Sequence, residues 1–221
     1  MNNFEEKVYK LISREIEVSN FEKWVYSEKE LEKILTNDDY LELVSLNYTT
    51  PSSLYEAEKI LKKHIEIEKY HEWYLRNILQ KIIERPDNVY KYIVETYDLY
   101  CDGYNFLDNL GIGYGLGIEV PHSSYSAQSW GNLESIEQKE LIDNYYPNIK
   151  KEAEKVIDWL DSKKIILTGY SGDFQGIEYK DNRNQEEKET ASYGITTPQK
   201  NTENTSPLFI RILRKVLKIK D

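Results

Sequence analysis

Cysteine is nearly absent from this chain of 221 residues: Cys101 stands alone, so no disulfide can close within it. Histidine is scarce as well, with only His64, His71 and His122 to serve as imidazole bases or ligands. Long apolar runs are missing. No stretch approaches the ~18 apolar residues of a membrane span. The first residues carry Glu5 and Glu6 in place of an apolar run, so no signal peptide is expected and the chain is placed in the cytoplasm. Positive charge is in deficit too. Lys and Arg number 29 against 39 Asp and Glu, a net charge of −10. Nucleic acid is therefore excluded as the main ligand, because neutralising phosphates needs a basic face.

What is present describes a folded, wet-surfaced chain, with 39% apolar and 31% charged residues. Its 221 residues suit one domain and a tail, or two small domains. Tyrosine is abundant, 19 against 5 phenylalanines. Its apolar ring and polar tip suit half-buried sites and interfaces, although a compositional bias shared with Lys, Ile and Asn would give the same count. A strongly acidic surface suits a basic protein partner, whose approach the field would speed, and it also serves plain solubility.

Apolar periodicity of about 3.6 residues predicts most of the fold. Phe4, Val8, Leu11 and Ile12 mark a first helix from residue 3 to about 16. Ser19 with Glu22, and Ser27 with Glu30, form capping-box patterns ahead of Phe21, Trp24 and Val25 and of Leu31, Ile34 and Leu35. A short helix with Tyr40, Leu41, Leu43, Val44 and Leu46 follows an Asn37–Asp38 cap. Phe21, Trp24, Leu31, Leu41 and Leu43 are expected in the core. From Pro51 and Ser52 a long helix runs to Ile82, with a bend near Glu66–Tyr70 where the stripe changes phase. Another helix, capped by Asp87 or Asn88, ends near Asp102–Gly103.

Six of the ten glycines lie between Gly103 and Gly131, which predicts strand pieces or an ordered loop there. Helices resume at about 136–144 and after Pro147. Lys164–Thr168 is β-branched and bounded by Gly169, a strand signature. The expected architecture is mainly α: a multi-helix globular body over 1–171, with a small β element around 112–120 and 164–168. A polar flexible linker is expected over 172–206 and an amphipathic helix over 207–221. That last segment carries Arg211, Arg214, Lys215, Lys218 and Lys220 against Asp221, net +4, leaving −14 on the rest. It is expected to dock on the acidic body or a partner, or to lie on an anionic membrane surface without stable insertion.

Candidate chemistry is thin. His64, Glu68 and His71, at i, i+4 and i+7, would share one face of a helix, and imidazole with carboxylate suits zinc or iron. A zinc-protease motif is nonetheless absent, since position 75 is Leu. The run from Gly111 to Gly117 fits neither a dinucleotide fingerprint nor a phosphate loop, and tight turns or close packing explain it better. Cys101 with His122 could pair as nucleophile and base, but Asp98, Asp102 and Asp108 nearby disfavour a thiolate. No catalytic, cofactor or metal residues are therefore assigned, and no enzyme is expected.

Two stretches carry a resemblance. One is Ile16-Glu17-Val18-Ser19-Asn20-Phe21-Glu22-Lys23-Trp24-Val25-Tyr26, continued by Leu31-Glu32 and by Tyr40-Leu41-Glu42-Leu43. The other runs from Tyr97-Asp98-Leu99-Tyr100-Cys101-Asp102-Gly103-Tyr104-Asn105-Phe106-Leu107 through the glycines to Glu119-Val120-Pro121. Together they resemble the acidic immunity-type proteins of bacterial polymorphic and contact-dependent toxin systems, over about residues 10–170. The resemblance implies binding and blocking of one cognate toxin, and transfers no catalytic motif. A basic toxin would be met by acidic helix faces, for which Glu56, Glu66, Glu68, Asp98, Asp102 and Asp108 are the candidate contacts. Two other readings remain open: a metal-dependent enzyme on the His64/Glu68/His71 face, and a non-catalytic regulator or scaffold of a defence or mobile-element system.

Overall fold

The computed structural model describes residues 1–121, 125, 127–171 and 176–189. The fold is mainly α, with one two-stranded antiparallel sheet. The helices are α1 (Asn3–Ile12), α2 (Val18–Ser27), α3 (Leu31–Ile34), α4 (Asn37–Ser45), α5 (Ser53–Leu61), α6 (Ile67–Glu84) and α7 (Val89–Cys101). After these come α8 (Leu116–Glu119), α9 (Ser135–Tyr145) and α10 (Asn148–Asp161). Strands β1 (Ile165–Ser171) and β2 (Gly176–Asp181) and the short α11 (Gln185–Glu189) complete the described chain.

The buried side chains fall into two cores. The first gathers Phe4, Val8 and Leu11 of α1, Phe21 and Trp24 of α2, Leu31, Leu43, and Ile60 and Leu61 of α5. The second gathers Leu75, Ile78, Leu79 and Ile82 of α6 with Ile93, Leu110, Ile118, Leu141, Val156 and Leu160, and with Ile165, Leu167 and Ile177 of the sheet. Helix α6 belongs to both. Near its start Tyr70 packs edge-on against Tyr9 at 5.5 Å, and the Trp73 ring lies 5.4 Å from Tyr9. Tyr74 touches both cores and donates to Glu95 of α7 at 2.7 Å.

Several local starts and stops differ from the sequence expectation. Helix α1 is capped by Asn2, whose side chain accepts from the Glu5 amide at 2.8 Å, and ends at Ile12, followed by Arg14 at φ 59°. Helix α2 starts at Val18, so Ser19 lies inside it and the capping-box reading of Ser19 with Glu22 fails. Ser27 closes α2 rather than opening α3. The cap of α4 is Thr36, one residue before Asn37–Asp38. The long helix expected from 52 to 82 is broken outright: a 3-10 turn (Lys62–His64) separates α5 from α6.

The largest difference is in the glycine-rich stretch. The β element expected around 112–120 is helical: residues Asn109–Gly115 form a π-helical segment that leads into α8. It packs on α7. A β-carbon on Gly111 would lie 2.7 Å from the Tyr100 Cβ and 2.8 Å from the Thr96 carbonyl oxygen, and one on Gly115 would lie 2.7 Å from the Ile93 carbonyl oxygen. The glycines are therefore what lets two backbones touch, the role of small residues at close helix contacts. The β element expected at 164–168 is found, as β1. Gly169, at φ 156°, sits where the β1–β2 register shifts.

The polar linker expected from residue 172 is also corrected in part. Residues 176–181 pair with β1, from Ile165 opposite Asp181 to Ser171 opposite Gly176, and α11 follows. Ile177 is buried while Glu178 and Lys180 face outward, a period-2 pattern too short and too polar to stand out in the sequence. The rest of the linker and the basic segment 207–221 lie outside the described residues.

Candidate interaction surface

Helices α2, α3 and α4 form a small acidic unit over the first core. Their inner sides carry Phe21, Trp24, Val25, Leu31 and Leu43, all buried. Tyr48, just after α4, closes the unit. Its ring packs on Phe21 at 5.9 Å and its hydroxyl donates to the Leu43 carbonyl at 2.9 Å. The outer sides carry Tyr26, Ile34 and Leu41, one large apolar residue from each helix, exposed by 60%, 39% and 59%. The Tyr26 hydroxyl donates to the Val44 carbonyl at 3.3 Å, which lays its ring across α4 one turn from Leu41. Around these residues the segment 17–46 holds eight carboxylates and three lysines. Exposed apolar residues on a segment whose charge is mainly negative match the anatomy of a protein interface.

Leu41 was expected in the core beside Leu43. On an α-helix, however, residues two apart point about 200° apart, so they cannot both face inward. Leu43 takes the core and Leu41 the solvent. That angular conflict was readable in the sequence and is the signal by which Leu41 could have been found. Tyr26 and Ile34 gave no comparable signal.

The unit is pinned to the rest of the chain through Asp39. Thr36 accepts from the Asp39 amide at 3.2 Å and donates its hydroxyl to the Asp39 carboxylate at 2.9 Å. Lys63 reaches the same carboxylate at 2.6 Å, and His64 Nε2 lies 2.8 Å from its other oxygen. Hydrogen bonds from Lys63 above all, then His64 and Thr36, hold the Asp39 carboxyl down at about 2. Asp39 is thus consumed within the fold.

The six candidate contact carboxylates fall into two groups. Glu56 lies half-buried on α5 beside Tyr55, which is exposed. Glu66 is exposed at the N-cap of α6 and pairs with Lys69 at 2.6 Å, and Glu68 is half-buried in the next turn. Asp98 and Asp102 are exposed at the end of α7. Partial burial and then the Asp102 charge push the Asp98 carboxyl up. Asp108 accepts from the Asn109 amide at 2.9 Å. Its burial pushes the carboxyl up, with Arg183 and Lys155 acting in the opposite sense. None of the six belongs to the α2–α4 unit.

The catalytic candidates disperse. His64 lies in the 3-10 turn before α6 and engages Asp39, so it does not share a helix face with Glu68 and His71. His71 is largely buried on α6, its Nδ1 2.9 Å from the Tyr104 hydroxyl. Burial pushes its imidazole down to about 4. Cys101 is exposed at the end of α7, and His122 lies outside the described residues. Among the described residues, no three His, Cys, Asp or Glu side chains converge as a metal ligand set. No helix among them is long and apolar enough to cross a membrane. Comparison of the chain with protein-family models, with curated proteins and with solved structures found no match.

Proposed function

We propose that this chain is an immunity-type protein of a bacterial toxin system, acting in the cytoplasm by binding a basic cognate toxin and covering its active site. One observation carries the reading: the acidic α2–α4 unit presents Tyr26, Ile34 and Leu41 to solvent. Exposed tyrosine and leucine are costly to leave in water and gain most by burial against a partner. The carboxylates around them would speed encounter with a cationic surface and reject acidic competitors. The resemblance of residues 16–26 and 40–43 to immunity-type proteins points to the same face. Glu56, Glu66 and Glu68, on the adjoining α5 and α6, extend the acidic surface. Asp98, Asp102 and Asp108 are a second, separate group of candidate contacts.

The experiment is co-purification with the product of the adjacent gene, followed by titration of that protein's toxicity. Wild-type chain is expected to bind and neutralise it. Leu41→Asp and Tyr26→Ala are expected to weaken binding by about tenfold or more, because buried anchors dominate interface energies. Absence of binding to the adjacent product, or full neutralisation by both variants, would refute the reading.

A further inference from the structure

A recess lies on the second core, between the α6–α7 turn and α9, with a volume of about 340 Å³. One wall is an aromatic stack. Tyr90 and Trp130 lie with ring centroids 4.7 Å apart and planes within 14° of parallel. Gln138 holds the Trp130 segment in place by donating to the Trp130 carbonyl at 3.1 Å. Arg85 also lines the recess. Its guanidinium pairs with Asp143 and sits 4.3 Å over the Tyr146 ring, and the Tyr146 hydroxyl in turn donates to the Ile82 carbonyl at 2.7 Å. These contacts are made without any ligand, and Val89 and Ile142 add an apolar lining.

The recess sets Arg85 and Lys139 against Asp87 and Asp143. Asp143 engages only Nη2 of Arg85, leaving Nε and Nη1 without an acceptor among the described residues. Lys139, exposed on α9 at the same recess, has no carboxylate partner among them. On a chain of net charge −10, Arg85 and Lys139 beside the stacked Tyr90 and Trp130 rings mark this recess out. Asp87 on the rim opposes more than one negative charge.

We propose that this recess binds a small planar aromatic monocarboxylate. The ring lies along the Tyr90–Trp130 wall, and the carboxylate takes Lys139 and the spare donors of Arg85. Size, stacking and charge agree: ligand recesses begin at roughly 300 Å³, aromatic faces stack in offset fashion, and guanidinium and ammonium groups prefer carboxylate acceptors. The site does not depend on the toxin-binding reading, since it lies on a different core from the α2–α4 unit.

The test is calorimetric titration of the full chain with benzoate and indole-3-carboxylate, alongside indole-3-carboxamide and the dianion phthalate. Saturable binding with one site is expected for a monocarboxylate, with Kd on the order of 1 mM or tighter for ligands this small. The amide and the dianion are expected to bind at least about tenfold more weakly, the cost of losing a charge-assisted pair or of facing Asp87. Lys139→Ala, an exposed position that leaves the fold intact, should weaken binding about tenfold, and Trp130→Ala should do so independently. No saturable binding of either monocarboxylate overturns the proposal. So does binding that neither substitution changes, or an amide that binds as well as the acid.

Discussion

His64 and Asp39 meet across 25 residues, Nε2 to Oδ2 at 2.8 Å, and this contact fastens the turn after α5 to the first turn of α4. Sequence spacing had grouped His64 with Glu68 and His71. The chain uses it instead to hold the acidic unit in place. Because Asp39 titrates at about 2 in the folded state against 3.8 ordinarily, its contribution is full above about pH 4 and is lost as pH falls toward 2. Asp39→Asn is expected to destabilise the chain at pH 7 and to flatten the loss of stability between pH 4 and 2. Urea unfolding across that range checks it. Wild type and variant falling in parallel would count against the arrangement.

His71 works in a different window. Its imidazole is driven down to about 4 by burial, so the unfolded chain binds the proton more readily than the folded one. Stability is full above about pH 6.5 and declines as pH falls toward 4. The His71 ring proton resonances are expected to stay at their neutral positions through pH 5.5 in an NMR titration. A midpoint near 6.5 would show that the ring is not desolvated.

The glycines of the π-helical segment divide by what lies beside them. Gly111→Ala and Gly115→Ala are expected to cost about 1–3 kcal/mol or more, since each new methyl meets backbone and Cβ atoms of α7 at 2.7–2.8 Å. Gly113 has nothing within 4 Å of an added Cβ. Gly113→Ala is expected to be neutral or stabilising by up to about 1 kcal/mol. Chemical denaturation of the three variants checks the order, and equal effects at all three would contradict the packing.

Leu41 and Leu43 form a matched pair on one helix. Leu43→Ala is expected to cost about 2–5 kcal/mol, as for other fully buried leucines. Leu41→Ala should change stability by less than about 0.5 kcal/mol, as at most surface sites. A large stability loss at Leu41 would place it in the core after all.

Much of the helical order was legible because α5, α6, α7 and α10 bury stripes at the helical period, and local sequence decides such stripes. The break at Lys62–His64 left only a partial trace, a phase change near Glu66–Tyr70 that reads as a bend a few residues too late. The glycine-rich stretch misled because its information is not local. Gly111 and Gly115 make sense only once Thr96, Tyr100 and Ile93 lie against them. Strand β2 was hidden for a related reason: its pairing partner, not its own residues, makes it a strand. The aromatic recess was invisible, since Arg85 and Asp143 lie 58 residues apart and no spacing rule connects them.

Tyr70 and Trp73 pack on the first core and Leu75 and Ile78 on the second, yet all four sit on one unbroken helix. The two halves of the molecule therefore cannot be exchanged like cassettes. A recombination that replaced residues 1–66 with a foreign segment would strand Tyr70 and Trp73 without the Tyr9 ring they pack on. Substitution at the outer residues of α2–α4, Tyr26, Ile34 and Leu41 among them, touches none of this packing, so that face can be altered one residue at a time while the joint between the cores stays as it is.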